Sequence, residues 1–334
     1  MQKIKIGKYW VGESKPTFVI AEGGINHNGK LKLAKKIIEK AKSSGANAVK
    51  FQTFTASDLA STKSKYYKIF KKLELNNNEF EELSDYAKKK EIIFLSTPFS
   101  NNAIDTLSKI KVPAFKIASG DLTNIPLIEY ASAKNKPMII STGMSNLNEI
   151  KEAIKVIKKQ KNSEIILMHS VSAYPTPYND VNLKGIQTLK DKFPYIVGFS
   201  DNGNDLRVPE IAVAMGAKII EKHFTINKKL DGPDQKLSAD PIELKNIIKN
   251  IRKIEEMMGD GVKKCQPSEL QNIIAARRSI TARREIMVGE KISKEIIDFK
   301  RPATGIEPKF IEKILGKKVK NKIGKDESIK WNNF

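Results

Sequence analysis

Eight short apolar runs, rich in β-branched and aromatic residues, recur along the chain: FVIAEGG (18–24), AVKFQTF (48–54), IIFLSTPF (92–99), AFKIASG (114–120), PMIISTG (137–143), IILMHSVS (165–172), YIVGFSD (195–201) and KIIEKHFT (218–225). Their composition and length are those of buried β-strands. Between them lie lysine-rich stretches with apolar residues at helical spacing. Leu33, Ile37 and Ala41 share one face of a segment that stops at Gly45, a good helix C-terminal stop. Ile150, Ala153, Ile154 and Ile157 do the same in the next clear case. The last helical stretch opens with Asp240 as N-cap and Pro241 in the first position, and stops at Gly259.

Strand-then-helix repeated eight times predicts a parallel (β/α)8 TIM barrel over residues 1–260. That length matches the about 250 residues usual for this fold. An open doubly wound sheet is the alternative, and it usually has fewer strands. After Gly259 the rhythm breaks. Residues 261–276 read as a linker, and residues 277–334 as a small β-rich domain, marginal alone and suited to docking on a larger surface.

The predicted strands end in polar residues, at the end where barrels place their chemistry. Strand one ends at Glu22, strand two carries Lys50 and Gln52, and strand three ends in Ser96 and Thr97. Strand four brings Lys116, Ser119 and Asp121, strand five Ser141, strand six His169 and Ser170, and strand seven Ser200 and Asp201. Strand eight places Glu221 and His223 on one face and Lys222 on the other, because side chains alternate along a strand. Any one of these is more often a helix cap, a snorkelling lysine or a hydrogen-bonded core histidine. All eight strands loaded at the same end point instead to a site. Two lysines, several hydroxyls and helix N-termini suit a small anion. Glu22 and Glu221 would supply acid–base or metal-orienting carboxylates.

Composition narrows the picture. Of 334 residues 40% are hydrophobic, enough for a real core. The formal charge is +22, from 60 Lys+Arg against 38 Asp+Glu. The lysines are spread over the whole chain, with no basic arm and no nucleic-acid motif, so they read as solvated helix faces rather than a nucleic-acid surface. A single cysteine, Cys265, excludes an internal disulfide and a cysteine-based metal site. With no signal-like apolar leader and no apolar run of membrane-spanning length, the expectation is a cytoplasmic protein without a membrane partner.

The motifs IAEGGINHNG, GANAVKFQTF, FLSTPF, FKIASGDLTNIPLIEYA, ISTGMSNLNEI, AYPTPYNDVNL, EKHFT and GPD occur in this order. Together they resemble the sialic acid synthase family, the phosphoenolpyruvate-condensing synthases of nonulosonic acids. The tail, with ARRSITARREIMVGEKI and FKRPATGIEPKFIEKILGKK, is similar to that family's antifreeze-like (SAF) domain. The resemblance covers nearly the whole chain. It implies an enzyme that joins phosphoenolpyruvate to an N-acylated mannosamine-type aldose, giving a nine-carbon 2-keto-3-deoxy acid and phosphate. By matching motifs, Lys50, Thr97, Lys116, Ser119, Ser141 and Ser200 would hold phosphoenolpyruvate. Gln52, Asp121, Tyr174 and Asp234 would position the sugar, and Arg301 would reach its N-acyl group from a second subunit, since the family forms domain-swapped homodimers. Glu22, Gln52 and Glu221 would serve the chemistry. His223 would bind a divalent cation, Mn²⁺ or Mg²⁺, which polarises the aldehyde.

Four positions depart from the family's usual pattern. Asn202 stands where a second metal-binding histidine follows Ser-Asp, and Gln235 where a histidine follows Gly-Pro-Asp. Ser170 replaces a frequent cysteine, and Asp121 a glutamate found in some members. For the metal, three arrangements are open: His223 with Asn202 and water, Asp201 in place of the missing imidazole, or a disabled site. N-acetylmannosamine, its 6-phosphate and 2,4-diacetamido-2,4,6-trideoxymannose all fit these motifs; the first reading is a sialic acid synthase giving an N-acetylneuraminate-type product, and the alternative is a legionaminic acid synthase using the trideoxy sugar. A related phosphoenolpyruvate–aldose synthase acting on a phosphorylated tetrose or pentose is a more remote reading, and the SAF-like tail argues against it. An ice-binding role for that tail finds no flat repetitive face in its Lys- and Arg-studded sequence.

Overall fold

The computed structural model describes residues 3–334, which form two compact units that meet in sequence between Gly259 and Asp260. The first is a barrel of parallel strands and helices. A short antiparallel hairpin, β1 (Lys3–Ile6) and β2 (Tyr9–Gly12), comes first. Eight parallel strands follow: β3 (Phe18–Gly24), β4 (Ala48–Thr53), β5 (Ile93–Pro98), β6 (Phe115–Ile117), β7 (Met138–Ser141), β8 (Ile165–Ser170), β9 (Ile196–Asp201) and β10 (Ile219–His223). They lie in chain order around the ring, and β10 pairs with β3 to bring its ends together. Between β5 and β6 no ladder is formed, so the barrel is nearly, not fully, closed by hydrogen bonds.

The alternation of side chains along these strands sorts the whole unit. One set, including Phe18, Ile20, Ala48, Leu95, Ala114, Ile139, Ile166, Met168, Ile196 and Ile219, fills the interior of the ring. The other set, including Val19, Ala21, Val49, Phe51, Phe94, Ile140, Leu167, Val197 and Ile220, faces the helices. Hairpin residues Ile4, Ile6 and Val11 belong to the interior cluster and are fully buried. The hairpin therefore stoppers the N-terminal end of the barrel. Its Lys-Ile-Lys-Ile alternation buries the isoleucines and exposes the lysines.

The helices form for the reasons the sequence supplies. Helix Leu31–Ser43 buries Ala34, Ile37, Ile38 and Ala41, with Leu33 at the edge of that face, and Gly45 follows at φ +93°. Helix Leu147–Lys159 buries Ile150, Ala153, Ile154 and Ile157 behind an Asn146–Glu149 capping box. Helix Pro241–Met258 is capped by Asp240 and ends at Gly259, φ +59°. Two short helices, Ala56–Leu59 and Tyr67–Leu73, intervene between β4 and helix Asn77–Lys89.

The second unit has its own core of Ile280, Ala282, Ile286, Ile292, Ile296, Ile297, Ile306, Ile314, Val319, Ile323 and Ile329. Strands β11 (Ser279–Ala282) and β12 (Ile297–Lys300) pair antiparallel, and single bridges such as Ile286 with Ile323 tie the turns together. Before them, residues 261–276 carry the short helix Leu270–Ala276. No helix among the described residues is long and apolar enough to cross a membrane.

Candidate active site

Counting outward from the barrel core in steps of two, seven of the eight strands replace their last apolar interior residue with a polar one, and β9 does so one step later, with Gly198 between Ile196 and Ser200. Ile20 is followed by Glu22, Ala48 by Lys50 and Gln52, Leu95 by Thr97, Ala114 by Lys116, Ile139 by Ser141, Met168 by Ser170, and Ile219 by Glu221 and His223. The result is a cavity of about 320 Å³ at the C-terminal end of the ring. Thirteen residues expected from the sequence line it: Glu22, Lys50, Gln52, Thr97, Lys116, Ser119, Ser141, Tyr174, Ser200, Asn202, Glu221, His223 and Asp234.

Its floor is a chain of buried charges. Lys50 Nζ lies 2.7 Å from Glu22 and 3.6 Å from Glu221, and donates to Thr97 Oγ1 at 2.9 Å. Lys116 Nζ lies 3.2 Å from the same Glu221 oxygen, and Ser200 Oγ donates to it at 3.3 Å. Burial pushes the Glu22 carboxyl up, against the pull of Lys50. Burial also disfavours charge on Glu221, but Lys116 and Lys50 outweigh it and hold that carboxyl down. Burial lowers Lys116, whereas Lys50 is raised because its carboxylate neighbours outweigh its burial. The two glutamates are thus driven apart, one toward the acid and one toward the carboxylate, which is how a pair of like groups divides acid and base roles.

Several buried atoms facing this cavity have no partner: Ser141 Oγ, Glu221 Oε2 and His223 Nδ1. Buried polar groups are nearly always satisfied, so such a cluster marks a place shaped for a ligand. Nearer the rim, Tyr174 meets the His223 ring edge-on at 5.8 Å, and Asp234 Oδ2 lies 3.9 Å from His223 Nδ1. Burial holds His223 neutral, its pKa down at about 3, and raises Asp234 to about 6 and Tyr174 to about 12. A neutral imidazole offers a lone pair. Asn202 Nδ2 is committed to the Val171 carbonyl at 2.7 Å, so its oxygen is the end left to offer. No three His, Cys, Asp or Glu side chains among the described residues form a metal cluster of their own. One imidazole and one carboxamide oxygen fit a hard divalent cation that completes its shell with water or substrate.

Some expected residues lie elsewhere. Asp121 does not line the cavity; it sits on the turn after β6, accepting from Asn124 Nδ2 at 3.1 Å. Arg301 is exposed in the second unit, at the end of β12. Asp201 cannot take the place of the missing imidazole, because it falls on the outer face of β9 and pairs with Lys222. Gln235 does not mark a lost metal ligand. It is fully buried away from the cavity, donating to Asn26 O at 3.0 Å and accepting from Thr225 Oγ1. His169 and Ser96 also point outward, to the Val181 carbonyl and to Thr53 Oγ1. Phe70 and Phe99 line the cavity and were not expected. Phe99 is two positions beyond Thr97 and could have been placed by alternation; Phe70 arrives from helix Tyr67–Leu73, which no strand pattern reveals.

Residues 37–263 match the NeuB family, and residues 277–334 match the SAF domain. The chain belongs to the NeuB family. It is an enzyme of that type, a phosphoenolpyruvate-dependent synthase that forms a C–C bond. An uncharacterized protein of Methanocaldococcus jannaschii is 51% identical, covering 100% of this chain and 99% of its own. The N,N'-diacetyllegionaminic acid synthase of Campylobacter jejuni is 44% identical, over 95% of this chain and 99% of its own. Among solved structures, the N-acetylneuraminic acid synthetase of Leptospira borgpetersenii, in complex with citrate, superposes with a TM-score of 0.79. It shares 38% identity, over 81% of this chain and 95% of that one. The NeuB enzyme described here thus shares its barrel fold with that synthetase.

Proposed function

We propose that this NeuB enzyme condenses phosphoenolpyruvate with an uncharged 2,4-diacetamido-2,4,6-trideoxymannose-type aldose, giving a legionaminic-type nonulosonic acid and phosphate. The observation that carries the condensation is the buried Glu22–Lys50–Glu221–Lys116 chain, ringed by Thr97, Ser119, Ser141 and Ser200. Two ammonium groups and a set of hydroxyls are suited to a compact polyanion. Glu22, held toward its acid form, is the group able to give or take a proton beside them.

In this reading C3 of phosphoenolpyruvate forms the new bond to the aldehyde carbon. Water adds at C2, and the tetrahedral intermediate expels phosphate. Gln52, Tyr174 and Asp234 hold the sugar near the rim. Asp121 and, from a second copy of the chain, Arg301 complete its binding, as the family resemblance implies. His223 and Asn202 would hold a Mn²⁺ or Mg²⁺ ion, which when bound supplies Lewis-acid polarisation of the aldehyde.

Two observations favour the trideoxy sugar. The chain is 44% identical to a diacetyllegionaminic acid synthase over nearly the full length of both. Lys50 and Lys116 are the lysines lining the cavity, and both lie against carboxylates, while Phe70 and Phe99 add apolar wall. That lining suits an uncharged, partly apolar sugar over a 6-phosphate. N-acetylmannosamine is the second reading, favoured by the structural likeness to a sialic acid synthetase.

The test is phosphate release from phosphoenolpyruvate with each aldose, with Mn²⁺ or Mg²⁺ and again with EDTA. The expected result is release with the diacetamido-trideoxy sugar, abolished by EDTA. Faster release with N-acetylmannosamine or its 6-phosphate would reassign the sugar. Release that survives EDTA would remove the metal.

A further inference from the structure

Lys222 lies on the opposite face of β10 from Glu221 and His223, outside the cavity, and is fully buried. Its Nζ donates to Asp201 Oδ2 at 2.7 Å and to the Gly203 carbonyl. The other oxygen, Asp201 Oδ1, accepts from Gly203 N at 2.9 Å. The pair, 1% and 2% exposed, closes a ring around the turn 201–203. Removing two charges from water costs more than most pairs recover, so such a pair is poor evidence of a need for stability alone.

Asn202 occupies the middle of that turn. Its side chain is held the other way, Nδ2 donating to Val171 O at 2.7 Å, and its carbonyl accepts from Thr176 N at 3.2 Å. The turn is thereby fastened to segment 171–176, which carries Tyr174 against His223. One continuous set of bonds runs from Lys222, through Asp201 and the turn, to Asn202 and to the backbone on either side of Tyr174.

We infer that the Lys222–Asp201 pair is a latch that positions Asn202 and Tyr174 for the aldose, leaving the phosphoenolpyruvate floor untouched. This rests on the proposed assignment of the rim to the aldose. Lys222 touches no substrate; it is a positioning residue, and its effect belongs to one substrate of the two.

The experiment compares Lys222→Met, the double variant Asp201→Asn/Lys222→Met, and Gly203→Ala. A Cβ at position 203 would lie 3.2 Å from Asp201 Oδ1, crowding the carboxylate while keeping both charges. Two readouts are taken: hydrogen–deuterium exchange of peptide 171–178 in the free protein, and KM for the aldose beside the calorimetric affinity for phosphoenolpyruvate. The latch predicts exchange faster by about tenfold at the Thr176 amide and aldose KM raised by about tenfold or more, with phosphoenolpyruvate affinity unchanged. In the double variant the thermal stability lost by Lys222→Met returns, because no lone buried charge remains, while fast exchange and high KM persist. Normal exchange and normal KM in the double variant would overturn the latch and leave a pair that serves stability. An equal loss of phosphoenolpyruvate affinity would overturn it too. If Lys222→Met does not fold, the double variant and Gly203→Ala decide. Should the unaltered enzyme ignore every aldose, the proposed function fails, and the exchange of peptide 171–178 still decides whether the latch exists.

Discussion

Asn202 and Ser170, two of the residues that depart from the family's usual pattern, are neighbours: Asn202 Nδ2 reaches Ser170 Oγ at 3.4 Å as well as Val171 O. A carboxamide keeps a donor toward the backbone and turns its oxygen the other way, which an imidazole could also do with its two nitrogens. Imidazole binds Mn²⁺ more tightly than an amide oxygen does. Asn202→His is therefore expected to tighten Mn²⁺ binding by about tenfold, worth about 1.4 kcal/mol, read from the free Mn²⁺ signal in an EPR titration. Unchanged affinity would place Asn202 outside the metal's reach. Residue identities of this kind were legible in the sequence wherever strand alternation governs them, as with Glu22, Lys50, Thr97, Lys116, Ser141, Glu221 and His223. Alternation also explains why Asp201 and His169, each one position from an inward residue, face away. Gln235, by contrast, follows a motif in a loop, where no periodicity says which way a side chain turns.

The loop Asn26–Lys30, after β3, shows what elements add. Asn26 donates to Phe224 O and Ser238 Oγ, and Asn28 to Asp231 O, so the loop is tied to the segment after β10. Gly29, at φ +67°, leaves no room for a Cβ, which would meet the Lys72 carbonyl at 2.3 Å. His27 is fully buried at its centre, accepting from Gly29 N at 3.1 Å with its ring against Phe51. Burial lowers its pKa from 6.5 to about 4. The folded-state value lies below the unfolded one, so His27's contribution is whole above pH 6.5 and is lost as pH falls toward 4. Over that window the loss amounts to about 3 kcal/mol. Urea unfolding at pH 7 and pH 4.5 should show the decline in the natural chain and a flatter profile in His27→Asn, which keeps an acceptor for Gly29 N. Parallel declines would assign the acid sensitivity to other groups. The barrel strands were legible to within three residues at each end, because eight runs of the same kind repeat. The hairpin β1–β2 and the helices between β4 and β5 were not, since each occurs once and belongs to no repeat.

For the whole molecule, every side chain that faces the proposed phosphoenolpyruvate floor belongs to the first unit. The second unit has a separate core of mostly isoleucine and valine. A fragment ending at Gly259 is accordingly expected to fold and to bind phosphoenolpyruvate within about threefold of the full chain, since it keeps every residue of the proposed floor. The same fragment should lose aldose-dependent phosphate release, the step for which Arg301 is proposed. Calorimetry and the phosphate assay on one preparation give both answers, and a fragment that turns over aldose normally would release Arg301 from that role.

The hairpin Lys3–Gly12, with Ile4, Ile6 and Val11 driven into the barrel's interior, has a consequence for traffic. A vessel stoppered at the bottom fills and empties through one mouth. Whatever settles on Lys50 and Lys116 must pass Tyr174 and Gln52 before anything rests on them, and must wait for that upper guest to go before it can leave. Under the proposed assignment the queue of substrates is imposed from the far end of the barrel, by ten residues that meet neither of them.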